Sequence, residues 1–171
     1  MKKLATIKAF LHDGWKLASP FWKSKERKKA GLLFALAMAC NIANIYMAVR
    51  LANWSRDFFN AMDKRDIDAF FYQLGMLFVL STMSLLLYAN QRYFCGKGIL
   101  LWRRWLSEYY TSRWLRTKCY YEETFFHRID NPDQRIAEDL RIFPTRTVGM
   151  IFDFVDSVGS LGAFSVILWN L

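Results

Sequence analysis

The polar segment Asp130–Leu140 reads Asp-Asn-Pro-Asp-Gln-Arg-Ile-Ala-Glu-Asp-Leu and lies between long apolar runs. Asn131 is suited to cap a helix, and Pro132 to its first position, because the proline ring presets φ and lacks an amide that would be unpaired there. Asp133 adds a negative charge to the first turn, where the exposed amides favour it. The segment is therefore predicted to form a short helix.

The residue types of this predicted helix are typical of a small docking surface. Ile136 and Leu140 lie four residues apart and share one apolar face. Pro144 is expected to break the chain just beyond it. An ordinary capped surface helix has the same local pattern, so the surrounding sequence has to decide between these two interpretations.

Catalytic and metal-binding chemistry has little support in this sequence. Cys40, Cys95 and Cys119 are widely spaced without a Cys-x-x-Cys pair, and His12 and His127 are isolated. This spacing favours neither a zinc site, a disulfide framework nor a Cys/His nucleophile. The Gly-x-x-x-x-Gly-Lys-Ser/Thr motif of a P-loop does not occur. We therefore expect no catalytic residue, cofactor or metal site in this chain.

Composition indicates a membrane protein. The 171 residues are 54% hydrophobic and 18% aromatic, yet 23% are charged, so apolar and charged residues must be segregated along the chain. Three apolar runs, at about residues 30–49, 70–88 and 150–171, are long enough to cross a hydrocarbon core of about 30 Å as helices. We predict an all-α membrane protein. The third run is cut short at the chain end, which suggests a fragment.

A few polar residues interrupt these predicted spans. Asn41 and Asn44 lie three residues apart on one helix face, where they would either bond neighbouring helices or line a cavity. Asp153 and Asp156 interrupt the start of the third run, and each would cost about 2.5 to 3.5 kcal/mol at mid-bilayer. We expect them near the cytoplasmic edge or facing a cavity.

The distribution of charge predicts the topology. The formal net charge is +9, with basic residues crowded before the first span and balanced by acidic ones after it. This bias places the amino terminus in the cytoplasm, and no nucleic-acid motif accompanies the charge. Residues 1–29 are predicted to form an amphipathic cytoplasmic elbow helix that Pro20 ends. No cleavage site follows the basic cluster, so a signal peptide is not predicted.

Residues 90–146 are too long for a tight cytoplasmic turn. Leu101, Trp105 and Tyr109 form an aromatic-rich stripe at helical spacing, with Trp102 and Leu106 beside it. The second span is therefore predicted to continue as a helix for about 40 Å beyond the bilayer and to pack against other helices.

Several motifs carry a resemblance to a known family. The motifs are Asn53-Trp54, Asp57-Phe58-Phe59-Asn60-Ala61, Trp102-Arg103-x-Trp105-Leu106, Tyr109-Tyr110, Trp114-Leu115, Tyr120-Tyr121 and Asn131-Pro132-Asp133-Gln134-Arg135-Ile136-Ala137-Glu138-Asp139. Together they resemble the bacterial permease/ATPase fusions related to the SbmA/BacA peptide importers and to the subfamily D transporters of peroxisomes. The resemblance implies an ABC exporter-type transmembrane domain, represented here by residues 30–171, in the bacterial inner membrane.

In transporters of this fold a coupling helix docks on the nucleotide-binding domain. The resemblance assigns that role to the residues Asp133, Gln134, Arg135, Ile136, Glu138, Asp139 and Leu140. It also implies ATP and Mg²⁺ in the full transporter, on a domain that is missing here or sits on a separate chain, and a second transmembrane half, as in a homodimer. The solute would be a peptide, a corrinoid or a fatty-acyl compound. The open alternatives are a proton-coupled SbmA/BacA-like peptide importer and a membrane scaffold without transport.

Overall fold

The computed structural model describes residues 2–116 and 132–169, and within them the regular structure is entirely helical. Four helices follow one another: α1 Lys2–Trp22, α2 Arg27–Asp63, α3 Ile67–Arg116 and α4 Pro132–Trp169. Residue 131, which was predicted to cap the last helix, lies outside the described residues. The predicted all-α fold is confirmed.

Three of these helices are long and apolar enough to cross a membrane. They are α2, α3 and the part of α4 from Ala137 to Trp169. Almost none of the residues in their most apolar stretches are buried within the chain. Such long apolar faces are unfavourable in water, so lipid or further helices must cover them. The first two predicted spans lie within α2 and α3, and the third lies in α4 as far as residue 169, with residues 170–171 outside the described part of the chain.

The prediction that Pro144 breaks the chain is wrong. Pro144 lies inside α4, which continues from Pro132 to Trp169 without interruption. A proline removes only one backbone hydrogen bond from a helix, and here the ring is fully buried. In the next residue, the Thr145 hydroxyl donates to the carbonyl of Arg141 at 3.3 Å. The predicted short helix is therefore the first part of the helix that carries the third span.

Pro20 likewise does not end α1, which reaches Trp22. The backbone then tightens, since the amide of Lys23 bonds the Pro20 carbonyl at 3.3 Å and the amide of Ser24 bonds that of Phe21 at 2.9 Å. The elbow helix thus ends in a short turn two residues later than predicted.

The connection between α2 and α3 takes only three residues. Arg65 adopts a left-handed conformation with φ of 54°, and its amide bonds the Met62 carbonyl. The amide of Asp66 bonds the carbonyl of Ala61 at 3.1 Å, which completes a Schellman C-cap. The Asp66 carboxylate then accepts a hydrogen bond from the Ala69 amide at 3.0 Å, so the same residue caps α3.

The chain divides into two compact units. The first consists of Met1–Leu32 and Lys97–Arg146, and its centre is aromatic. Phe21 of α1 stacks on Trp102 of α3 with ring centroids 5.5 Å apart, and Phe143 of α4 meets the same indole edge-on at 5.8 Å. Leu106, one turn after Trp102 on α3, is also fully buried. These contacts hold α1, α3 and α4 together.

The second unit consists of Leu33–Gly96 and Thr147–Leu171. Hydrogen bonds and close packing join its helices. The indole of Trp54 donates to the Gln73 carbonyl at 2.8 Å, which links α2 to α3. Gly159 of α4 lies so close to Ile45 of α2 that a Cβ on the glycine would come within 2.6 Å of the isoleucine Cδ1.

Candidate docking site and polar contacts of the spans

The candidate docking residues occupy the first turns of α4. Gln134, Glu138 and Asp139 are exposed, and Leu140 is half-buried. The side chains of Asp133, Arg135 and Ile136 lie outside the described residues. The helix therefore presents at least three polar side chains for contact with another surface, while Leu140 turns partly toward the chain's own interior.

Glu138 and Arg141 form an ion pair one turn apart on α4. The guanidinium donates to both carboxylate oxygens, from Nε at 3.2 Å and from Nη2 at 2.5 Å. These hydrogen bonds, and more weakly the charge of Arg103, lower the pKa of Glu138. The carboxylate therefore stays ionised at neutral pH, and any partner that binds this face meets a negative charge already paired with a positive one.

The aromatic centre of the first unit supports this part of α4. Phe143 and the fully buried Pro144 lie three and four residues after Leu140, and Phe143 packs on Trp102. The indole nitrogen of Trp102 is buried and has no hydrogen-bond partner among the described residues. Trp102 thus contributes to this site through ring packing, which fixes one helix against the other.

Asn44 forms a polar contact between the first and second spans. It lies 3.2 Å from the hydroxyl of Ser84 on α3, with the amide oxygen accepting. If the amide is turned over, its nitrogen donates to both the carbonyl and the hydroxyl of Ser84 and its oxygen accepts from the Tyr88 amide, each at 3.2 Å. We favour the second orientation because it pairs both ends of the amide. In either orientation the contact joins α2 to α3.

The other polar residues predicted in the spans are placed differently. Asn41 is buried, and its side-chain oxygen has no partner within the described residues. Asp153 and Asp156 are exposed on α4. The Ser157 hydroxyl bonds the backbone carbonyl of Asp153, and the described hydrogen bonds and ion pairs do not include either carboxylate. No described contact brings the two asparagines and the two aspartates into one site.

Sequence reasoning missed part of this arrangement. It named the stripe Leu101, Trp105 and Tyr109 and the neighbouring residues Trp102 and Leu106 without choosing between them. The buried side chains are Trp102 and Leu106. Trp105 is half-buried and stacks on Tyr109 at 4.8 Å. Both stripes repeat every four residues, so the pattern alone could not select between them.

The sequence has no P-loop motif. The described residues include no group of His, Cys, Asp and Glu side chains that could hold a metal.

Comparison with known proteins identifies the class to which these helices belong. The model of the family ABC transporter transmembrane region 2 matches residues 17–171. The chain belongs to this family, and it is a membrane-spanning segment of the ABC transporter type.

Relatives within the class support this assignment. The chain is 36% identical over 158 residues to the inner membrane ABC transporter ATP-binding protein YddA of Escherichia coli, covering 90% of this chain and 28% of that protein. It is 28% identical to the chloroplastic ABC transporter D family member 2 of Arabidopsis thaliana, covering 99% of this chain and 24% of the relative.

A more distant relative is the lysosomal cobalamin transporter ABCD4 of Homo sapiens, which is 22% identical over 75% of this chain and 21% of its own length. The chain thus spans between a fifth and about a quarter of the length of these relatives. No solved structure matches the chain at a significant level.

Proposed function

We propose that this chain is part of the transmembrane half of a transporter that moves a solute across the bacterial inner membrane using ATP. The observation that carries the proposal is the family match over residues 17–171, together with three helices long enough to span a bilayer. ATP and Mg²⁺ would bind a nucleotide-binding domain outside these residues. The bacterial relative is named an ATP-binding protein, which supports an ATP-binding domain beyond the residues that match this chain.

In this proposal the first turns of α4 receive the nucleotide-binding domain. Gln134, Glu138 and Asp139 offer polar contacts there. Because α4 is one continuous helix of 38 residues, its first turns and the third span belong to the same element. Movement of long helices as rigid bodies is an established way to carry a local contact over such lengths.

The proposed solute is bulky and partly apolar: a peptide, a corrinoid or a fatty-acyl compound. A cobalamin transporter among the relatives favours the corrinoid class. We further propose a cytoplasmic amino terminus, because five basic side chains precede the first span within residues 23–29. A homodimer would supply the helices that cover the exposed faces of the three spans.

The test is transport by the full-length protein in proteoliposomes. Labelled peptide, cobalamin and fatty acyl-CoA are offered in turn, with ATP, with a non-hydrolysable ATP analogue, or with an imposed proton gradient. We expect one of the three to cross the membrane only with hydrolysable ATP, and a protonophore should leave its rate unchanged. Transport that follows the proton gradient and ignores ATP would contradict the proposal and identify an ion-driven importer. No flux of any of the three under either energy source would favour a membrane scaffold.

A further inference from the structure

A dense group of basic side chains lies between the elbow helix and the first span. We call it the basic cluster, and it consists of Lys23, Lys25, Arg27, Lys28 and Lys29. All five side chains are exposed. Glu26 is the single acidic residue among them, so the stretch 23–29 has a net charge of +4. A charge of this density attracts anions of any kind.

The charges of the basic cluster are mostly left uncompensated by the described residues. Lys29 lies 4.0 Å from Glu26, at the limit of an ion pair. The Glu26 carboxylate also acts on Arg104 of α3, whose pKa is raised mainly by its hydrogen bond to Glu108. The described ion pairs do not include Lys23, Lys25 or Lys28, so most of the cluster is open to an external anion.

The first turn of α2 strengthens this preference. It contains Arg27, Lys28 and Lys29 and no acidic residue. The amide groups at a helix amino terminus already carry partial positive charge, so acidic residues are the usual occupants of this turn. Glu26, directly before this turn, supplies one negative charge against these three positive charges, so two of them remain unbalanced within the stretch.

The surroundings of the basic cluster point to lipid as the source of the balancing negative charge. Trp15 is 65% exposed, and Trp22, seven residues later on the same face of α1, is 37% exposed. Exposed indoles are typical of the headgroup region of a bilayer. Residue 29 directly precedes the first apolar run, so the basic cluster lies beside the residues that enter the bilayer.

We propose that the basic cluster binds the headgroups of anionic phospholipids, such as phosphatidylglycerol, in the leaflet that contains α1. The lysines and Arg27 contact the lipid phosphates, while Trp15 and Trp22 lie among the headgroups beside them. The interaction anchors the end of α1 and the start of α2 at the membrane surface. It does not depend on which solute the protein moves or on what drives transport.

The experiment is native mass spectrometry of the detergent-solubilised full-length protein titrated with phosphatidylglycerol or with phosphatidylcholine. Lys23→Gln/Lys25→Gln removes two charges from the turn and leaves Arg27, Lys28 and Lys29 before the span in place. The dissociation constant of the first bound phosphatidylglycerol should rise about fivefold for each lysine removed, and less at high salt. Binding of phosphatidylcholine should not change.

Two further variants make the result specific to this cluster. Lys23→Arg/Lys25→Arg keeps both charges and should bind phosphatidylglycerol as the unsubstituted protein does. Lys64→Gln/Arg65→Gln removes two exposed charges at the other end of α2 and should not alter the dissociation constant. The proposal is overturned if Lys23→Gln/Lys25→Gln binds phosphatidylglycerol unchanged, as expected if an acidic protein surface occupies the cluster. An equal loss in the Lys64→Gln/Arg65→Gln variant would overturn it as well.

Discussion

Asn44 lies in the apolar run of α2, where Asn41 is the other strongly polar residue, and contacts Ser84 of the next helix at 3.2 Å. An amide facing lipid without a partner is unfavourable, so a bond of this kind helps to select how two spans pack. Its contribution is modest, because an unfolded helix in the membrane also finds partners for its polar groups. A double-mutant cycle can isolate that contribution.

We expect Asn44→Ala and Ser84→Ala to show a coupling energy of about 0.6 kcal/mol, the average for such bonds in membranes. The measurement is the unfolding free energy of the detergent-solubilised full-length protein. Ser81→Ala replaces an exposed serine one turn earlier on α3 and serves as the matched control, with no coupling to Asn44→Ala expected. Equal coupling with Ser81 would show that the contact is not specific.

Asp66 has two roles, since its backbone amide closes α2 and its carboxylate caps α3. Asp66→Ala should lower the unfolding free energy by about 1 kcal/mol because the Ala69 amide loses its acceptor. Asp68→Ala, which removes a carboxylate from the same turn, should cost about 0.3 kcal/mol through the helix dipole alone. If thermal unfolding shows the same loss for both variants, the hydrogen bond to Ala69 contributes nothing beyond charge.

The packing of α2 against α4 is set by a glycine. A Cβ at position 159 would lie 2.6 Å from Cδ1 of Ile45, so a larger residue must separate the helices or rotate the isoleucine. Gly162, almost one turn further on, has open space around it within the described residues. The two glycines therefore differ in packing although both lie in the third span.

Gly159→Leu should lower the unfolding free energy by about 1 to 3 kcal/mol through overpacking. Gly162→Leu, the matched control, should stay within about 0.5 kcal/mol of the unsubstituted protein. Adding Ile45→Ala to Gly159→Leu should recover part of the loss, because it removes the atom that the leucine meets. Thermal unfolding in detergent measures all three variants, and no recovery by Ile45→Ala would contradict this packing.

Some features of these helices can be predicted from sequence and others cannot. The three spans are predictable because twenty apolar residues in a row have few other stable environments. The continuation of α4 through Pro144 is not, since it depends on tertiary contacts that hold a helix together despite one missing hydrogen bond. The burial of Trp102 likewise depends on Phe21 and Phe143, which are remote in sequence.

The molecule as a whole belongs to the ABC transporter transmembrane regions, and its proposed function depends on a second domain that meets α4. The motif at residues 131–139 could be singled out from sequence only through a resemblance to a known family. Its place at the start of a continuous 38-residue helix required the structure. Because α4 is continuous, we expect a substitution in its first turns to affect transport through the third span.

Asp139→Lys should lower ATP-driven transport about tenfold, equivalent to 1.4 kcal/mol of lost docking, with normal amounts of protein in the membrane. Glu108→Lys is the matched control, because it reverses an exposed carboxylate on α3 of the same unit and should leave transport within twofold of the unsubstituted protein. An equal loss in both variants would point to a general effect of charge on the cytoplasmic side.

Photo-crosslinking at position 139 determines whether an ATP-binding domain contacts the first turns of α4. Benzoylphenylalanine is placed at position 139 of the full-length protein in membranes, and at Tyr72, an exposed residue near the amino-terminal end of α3, as the control. We expect a crosslink from position 139 to a peptide of the ATP-binding domain, and none from position 72. Crosslinks from position 139 to lipid or to other proteins alone would contradict the docking of that domain on α4.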